Sequence, residues 1–88
     1  MNYNHIIKTE TLTQNTIIDY NEGFTKIEFF PPYGNTKVIK INNMLELYPQ
    51  QWYKIENMPY VKISSNISVQ VPAGNSVVVI KHFYVKQE

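Results

Sequence analysis

The chain has 88 residues, a formal net charge of +1 and no cysteine, which points to one domain and excludes disulfides and thiolate zinc sites as sources of stability. Its eight basic residues are all lysine, spread from Lys8 to Lys86; without arginine forks or a concentrated basic patch, no nucleic-acid partner is expected. No apolar run approaches the length that spans a bilayer, and MNYNHIIKTE lacks a basic segment followed by an apolar core, so neither a membrane partner nor a secretory signal is expected.

Along residues 1–88, short runs of β-branched and aromatic residues alternate with Gly, Pro and Asn punctuation, and no long segment carries a clean helical stripe. This predicts a single all-β domain, an antiparallel β-sandwich of jelly-roll or Ig-like type or a small barrel, with about seven or eight short strands. The N-terminal residues 3–9 and 15–20 give the first two strands. Residues 24–30, FTKIEFF, follow with Ile27 and Phe29 opposite Lys26 and Glu28, and Pro31 and Pro32 end them because neither can donate to a ladder.

Residues 36–41, 44–48 and 51–56 are the next strands. A helical turn competes over Asn42 to Glu46, where an Asn cap has Glu three residues on, but Pro49 would stop it within a turn. Residues 60–71 carry the clearest alternation: Val61, Ile63, Ile67, Val69 and Val71 share one parity, with Ser65 as the polar break where a bend or bulge is expected.

Pro72-Ala73-Gly74-Asn75 is a strong turn signal, with Gly74 and Asn75 both tolerant of positive φ, and predicts a hairpin between residues 60–71 and 76–86. A loop of two or four residues pairs Val69 with Val78 and Ile67 with Ile80; a loop of three pairs Val69 with Val77 and Ile67 with Val79. In either register the last strand is apolar on both sides, with Val77, Val79, Phe83 and Val85 on one parity and Val78, Ile80 and Tyr84 on the other. Three explanations compete for the second face: cover by the chain's own N-terminal segment, through the HII of residues 5–7 and the TII of residues 16–18; cover by an identical subunit or another protein; or a lipid or ligand surface.

Catalytic equipment is thin. A nucleophile triad would need Ser64, Ser65, Ser68 or Ser76 beside His82 with Asp19 behind it, and no elbow motif frames any serine. Ser65 and His82 would be cross-strand neighbours in the even-loop hairpin, where a hydrogen-bonded polar pair is the plainer reading. Glu28, Glu46 and Glu56 read as solvated surface rather than a glycosidase pair. His5, His82 and a carboxylate could meet only if the terminal strands pair, and they lack metal-ligand spacing. No catalytic, cofactor or metal site is expected.

Aromatic residues carry more information. Tyr48, Trp52, Tyr53 and Tyr60 crowd YPQQWYKIENMPY, and Tyr33 sits in PPYGN. Planar rings beside amides suit a sugar platform, which gives a carbohydrate-binding reading centred on Trp52, Tyr53 and Tyr33; core filling and interface contacts are the plainer alternative.

TKVIKIN, the PQQW turn and the closing ISVQVPAGNSVVVIKHFYV resemble small β-sandwich virion proteins of tailed bacteriophages, such as capsid decoration or auxiliary subunits. The resemblance implies a noncatalytic protein that binds itself as a homo-oligomer, or a larger assembly such as a capsid. Its place would be the virion, after assembly in the host cytoplasm. On the residues, the expected interface is Val78, Ile80 and Tyr84, with Phe30 and Tyr33 as loop contributors.

Overall fold

A computed structural model describes residues 2–58 and 60–87. Eight strands run in chain order: β1 (Tyr3–Leu12), β2 (Thr16–Ile18), β3 (Lys26–Phe30), β4 (Ile39–Ile41), β5 (Leu45–Leu47), β6 (Tyr53–Glu56), β7 (Ile67–Gln70) and β8 (Val77–Lys86). A single 3-10 turn at Tyr20–Glu22 precedes β3; Asp19 caps it by accepting the Asn21 N–H, and Gly23 closes it at a φ of 92°. Such left-handed backbone favours glycine.

The strands form two four-stranded antiparallel sheets of order β1-β8-β3-β6 and β2-β7-β4-β5. First pairs with last, second with seventh, third with sixth and fourth with fifth. That nesting, rolled into two facing sheets, is the jelly-roll arrangement, so the sandwich expected from the sequence is present and its topology is the first of the two anticipated. We call the sheet holding the ten-residue strands β1 and β8 the long sheet, and the other the short sheet.

Alternation builds the core. In β3, Ile27 and Phe29 are fully buried while Lys26, Glu28 and Phe30 point outward, as the period-two pattern requires. From β8, Val77 and Val79 join them, and the short sheet contributes Ile18, Ile39, Ile41, Leu47, Ile67 and Val69. Each such side chain contributes roughly 1.5–3 kcal/mol on leaving water.

Two expectations fail in instructive ways. Residues 60–71 are not one strand. Only Ile67–Gln70 pair as β7, the chain bends at Ser65, and Val61 is exposed while Ile63 is buried. This segment must carry the backbone from β6 in the long sheet to β7 in the short one, so it leaves the pleat, tied by the Ile63 N–H to the Phe24 carbonyl and by the Asn57 side chain to the Lys62 carbonyl.

The C-terminal hairpin is also absent. β7 and β8 lie in different sheets, so Pro72 to Ser76 form an arch between layers, and Val69 faces Thr16 and Ile41 instead of Val77 or Val78. A turn signal specifies a reversal of the chain but not whether the two arms pair or face each other across a core. Of the two readings that compete at Asn42 to Glu46, the strand is the one present: β5 follows a β4–β5 turn in which Asn42 and Asn43 take φ values of 54° and 58°. Asn42 then continues the β7 ladder through its backbone N–H to the Ser68 carbonyl and its side-chain oxygen from the Ser68 N–H.

Candidate functional interface

β8 is a central strand, flanked by β1 and β3. Its odd residues face the short sheet and its even residues, Val78, Ile80, His82 and Tyr84, face outward. The N-terminal HII segment lies beside β8 as β1 and not over its second face, while TII forms β2 in the opposite sheet, with Ile18 in the core and Ile17 exposed. Cover by the N-terminal segment is therefore corrected to edge pairing. An extended segment next to a strand completes its ladder first, and its side chains reach the shared face only laterally.

Register sets the rows on this outer face. Thr11, Val78 and Phe30 stand in line, Phe30 packing on Trp52 with ring centroids 4.7 Å apart. The next row holds Thr9, Ile80, Glu28 and Lys54, and the one after it Ile7, His82, Lys26 and Glu56. Val78, Ile80 and Phe30 are thus brought together, half-covered by their lateral neighbours, with Ile7 (54% exposed) and Trp52 (56% exposed) extending the apolar band at its flanks. Tyr84 shares the face but lies two residues beyond His82, and Tyr33, 80% exposed, stands in the loop after β3. The placement of Ile7 and Trp52 in this patch depends on the β1–β8 and β3–β6 pairings, which single-strand alternation does not reveal.

The carbohydrate set divides. Trp52 lies on the outer side against Phe30, whereas Tyr53 turns toward the core and packs against Phe29. Adjacent strand residues point to opposite faces, so these two rings do not form one platform. A shallow hollow of about 280 Å³ beside Trp52 is lined by Glu28, Trp52, Tyr53 and Lys54.

Between Tyr84 and Ile80 runs a polar chain. Glu28 Oε2 lies 2.7 Å from His82 Nε2, and His82 Nδ1 lies 2.9 Å from His5 Nε2. Because a carboxylate only accepts, His82 donates from Nε2; for neutral rings its Nδ1 then accepts the Nε2–H of His5. His5 also stacks on Tyr84 at 4.6 Å, and Tyr60 stacks on Tyr3 at 4.0 Å and meets Tyr84 edge-on. The pairing of terminal strands thus brings the two histidines together, yet their nitrogens point at each other, and no group of three or more His, Cys, Asp or Glu able to hold a metal exists among the described residues.

The triad arrangement does not assemble. Asp19 caps the 3-10 turn, Ser68 is on the short sheet, and Ser65 lies in the bend before β7 while His82 is flanked by Ile7 and Lys26. Without the hairpin, no serine is a cross-strand neighbour of His82. The chain of groups clamps β1, β8 and β3.

On the inner side of the same ribbon, Lys81 occupies a core-parity position where the short sheet no longer reaches. Its ammonium contacts Glu10 of β1 at 2.8 Å and Glu22 of the 3-10 turn at 2.7 Å. Burial pulls its pKa down, but the hydrogen bonds to Glu10 and Glu22 and their negative charge outweigh that and hold it above the ordinary lysine value. Lys81 interrupts an otherwise apolar parity, the one sequence signal that marked it. No family model, curated protein or solved structure matches this chain.

Proposed function

We propose that this chain is a noncatalytic structural subunit that docks, as a repeated copy, onto a larger protein assembly of the capsid type found in tailed-bacteriophage virions, placed there after assembly in the host cytoplasm. The observation that carries the reading is the outward band of Ile7, Ile80, Val78, Phe30 and Trp52 on the long sheet, bordered by Thr9, Thr11 and the Glu28 to His5 chain. An apolar centre with a polar rim is the anatomy of a protein interface. Jelly rolls serve in viral capsids and in lectins, an analogy of fold that is compatible with the reading without specifying it.

Magnitudes favour a multivalent setting. A patch of about 400 Å² at about 25 cal/mol per Å² gives roughly 10 kcal/mol of gross driving force, comparable with an association cost of about 4–15 kcal/mol. One such contact alone is marginal, and repetition on a lattice raises the effective concentration of each further contact. Light scattering over a wide concentration range tests this: species larger than a dimer are expected to grow with concentration and to be lost when Ile80→Glu and Tyr84→Glu are combined. Growth of such species indifferent to those changes, or none at all, overturns it.

The hollow beside Trp52 favours one alternative, glycan binding at Trp52 with Glu28 and Lys54 as polar partners. It requires retention on a glycan surface that Trp52→Ala abolishes and the Ile80→Glu change leaves in place.

A further inference from the structure

The long sheet ends on β1, and among the described residues no strand lies beside its outer edge. The other edge strands are short, three residues for β2 and β5 and four for β6, but β1 runs for ten residues in unbroken register with β8. Proteins blunt such edges with proline, bulges or like charges, because an open row of N–H and C=O groups is a template for another strand. Between Tyr3 and Leu12 there is no proline or glycine, and the charges are one Lys8 and one Glu10.

Hydrogen-bond parity shows which groups are open. Gln87 donates its backbone N–H to the Asn2 carbonyl, so even-numbered residues of β1 exchange bonds with β8, and those of Ile7, Thr9 and Thr11 point out from the edge. Their side chains belong to the outer face, whereas Ile6, Lys8, Glu10 and Leu12 belong to the inner one.

We propose that β1 pairs antiparallel with β1 of a second copy of this chain, across a two-fold axis perpendicular to the long sheet at Thr9. In this register Thr9 faces Thr9 of the second copy, Ile7 faces Thr11, Lys8 faces Glu10 and Ile6 faces Leu12, each pair occurring twice by symmetry except the one on the axis. The neighbouring two-fold registers are worse. An axis at Lys8 or at Glu10 sets like charges directly opposite, and an axis at Ile7 sets Lys8 against Ile6 and Glu10 against Asn4. Only the Thr9 axis matches every charge with its opposite and every inner apolar residue with another. It also uses the half-exposed Ile6, which the short sheet leaves uncovered. The product is one continuous sheet whose two apolar bands face the same way. This contact is distinct from the outer face and does not depend on it.

The cysteine-free chain permits a register-specific test. A directly opposed pair brings its Cα atoms to about 5.5 Å, within disulfide reach. Under mild oxidation Thr9→Cys is expected to give a covalent dimer and Ile7→Cys to remain uncrosslinked. Lys8→Glu and Glu10→Lys should each lose self-association, while an equimolar mixture of the two forms a heterodimer, since each then presents the sign the other needs. Thr9→Pro removes an outward N–H that the isolated sheet does not use, and is expected to raise the dimer dissociation constant about ten- to a hundredfold with an unchanged circular dichroism spectrum. Ile80→Glu should leave the Thr9→Cys crosslink intact, which separates this contact from docking by the outer face. Crosslinking through Ile7→Cys in preference to Thr9→Cys, failure of the two charge variants to combine, or a protein that stays monomeric at millimolar concentration overturns the proposal.

Discussion

Two asparagines hold together the end of the sandwich where the sheets exchange strands. Asn75 Oδ1 accepts the backbone N–H groups of Thr36 and Lys37, and its Nδ2 donates to the Ala73 carbonyl. Asn35 answers from the facing loop, donating to the Ser76 carbonyl and accepting the Ser76 N–H. Both side chains are buried. Removing the Asn75 amide strands two N–H groups, each at about 1–3 kcal/mol. Asn75→Ala is therefore expected to cost about 2–4 kcal/mol and lower Tm by about 10–20 °C, whereas Asn75→Asp retains the acceptor and is expected to melt between the two. Calorimetry on the three proteins checks this, and a loss of only a degree or two for Asn75→Ala would refute it. The sequence marked Gly74 and Asn75 alike as tolerant of positive φ, but only Gly74 adopts it, at 80°; Asn75 is there for its side chain, whose Oδ1 serves donors roughly forty residues away that leave no local trace.

At the level of elements, what is legible is whatever depends on neighbours along the chain. Seven of the eight strands fall within the segments expected, and β1 runs on to Leu12, past the end expected at residue 9; the agreement arises because the alternation of Ile27 with Glu28, or of Val77 with Val78, is a local consequence of burial on one side. What was hidden is which strand lies beside which. The β7–β8 hairpin was the natural reading of Pro72 to Asn75, yet β8 is claimed by β1 and β3, and its pairing with β1 assembles the patch of Ile7 and Val78 and the two histidines. The three elements around Lys81 provide a test of such long-range ties. Since the ammonium pKa stands above the ordinary value of 10.5, the folded state holds this proton more firmly than the unfolded chain. The stabilisation is complete below about pH 10.5 and is lost as pH climbs through the folded value. Thermal melts from pH 9 to 12 should show a steeper alkaline decline in the native protein than in Lys81→Met; coincident slopes would show that Glu10 and Glu22 contribute nothing to holding that proton.

Over the whole molecule, nesting of first strand with last makes the terminal ribbon the member on which the others close. The principal extents of 46 × 21 × 18 Å reflect it: the ten-residue strands run past β3, and their far end is propped by Tyr60 against Tyr3 and Tyr84. A long, thin sandwich with one long edge strand and one apolar outer face is the shape that the two proposed contacts, sideways to a copy and flat onto a support, would use.

The bond from Gln87 N–H to the Asn2 carbonyl, 2.9 Å long, has a geometric corollary. Anything fused to either end of these residues departs from a single tip, so a tag at one end crowds a tag at the other, and energy transfer between two fluorophores so placed should be near its maximum. The same adjacency allows a few glycines and serines to join the ends and new ones to be opened at the Asn42 to Met44 turn. Such a permuted chain is expected to keep its strand-rich circular dichroism spectrum and cooperative melting, and a collapsed, non-cooperative product would show that the ribbon tip is not closed as described.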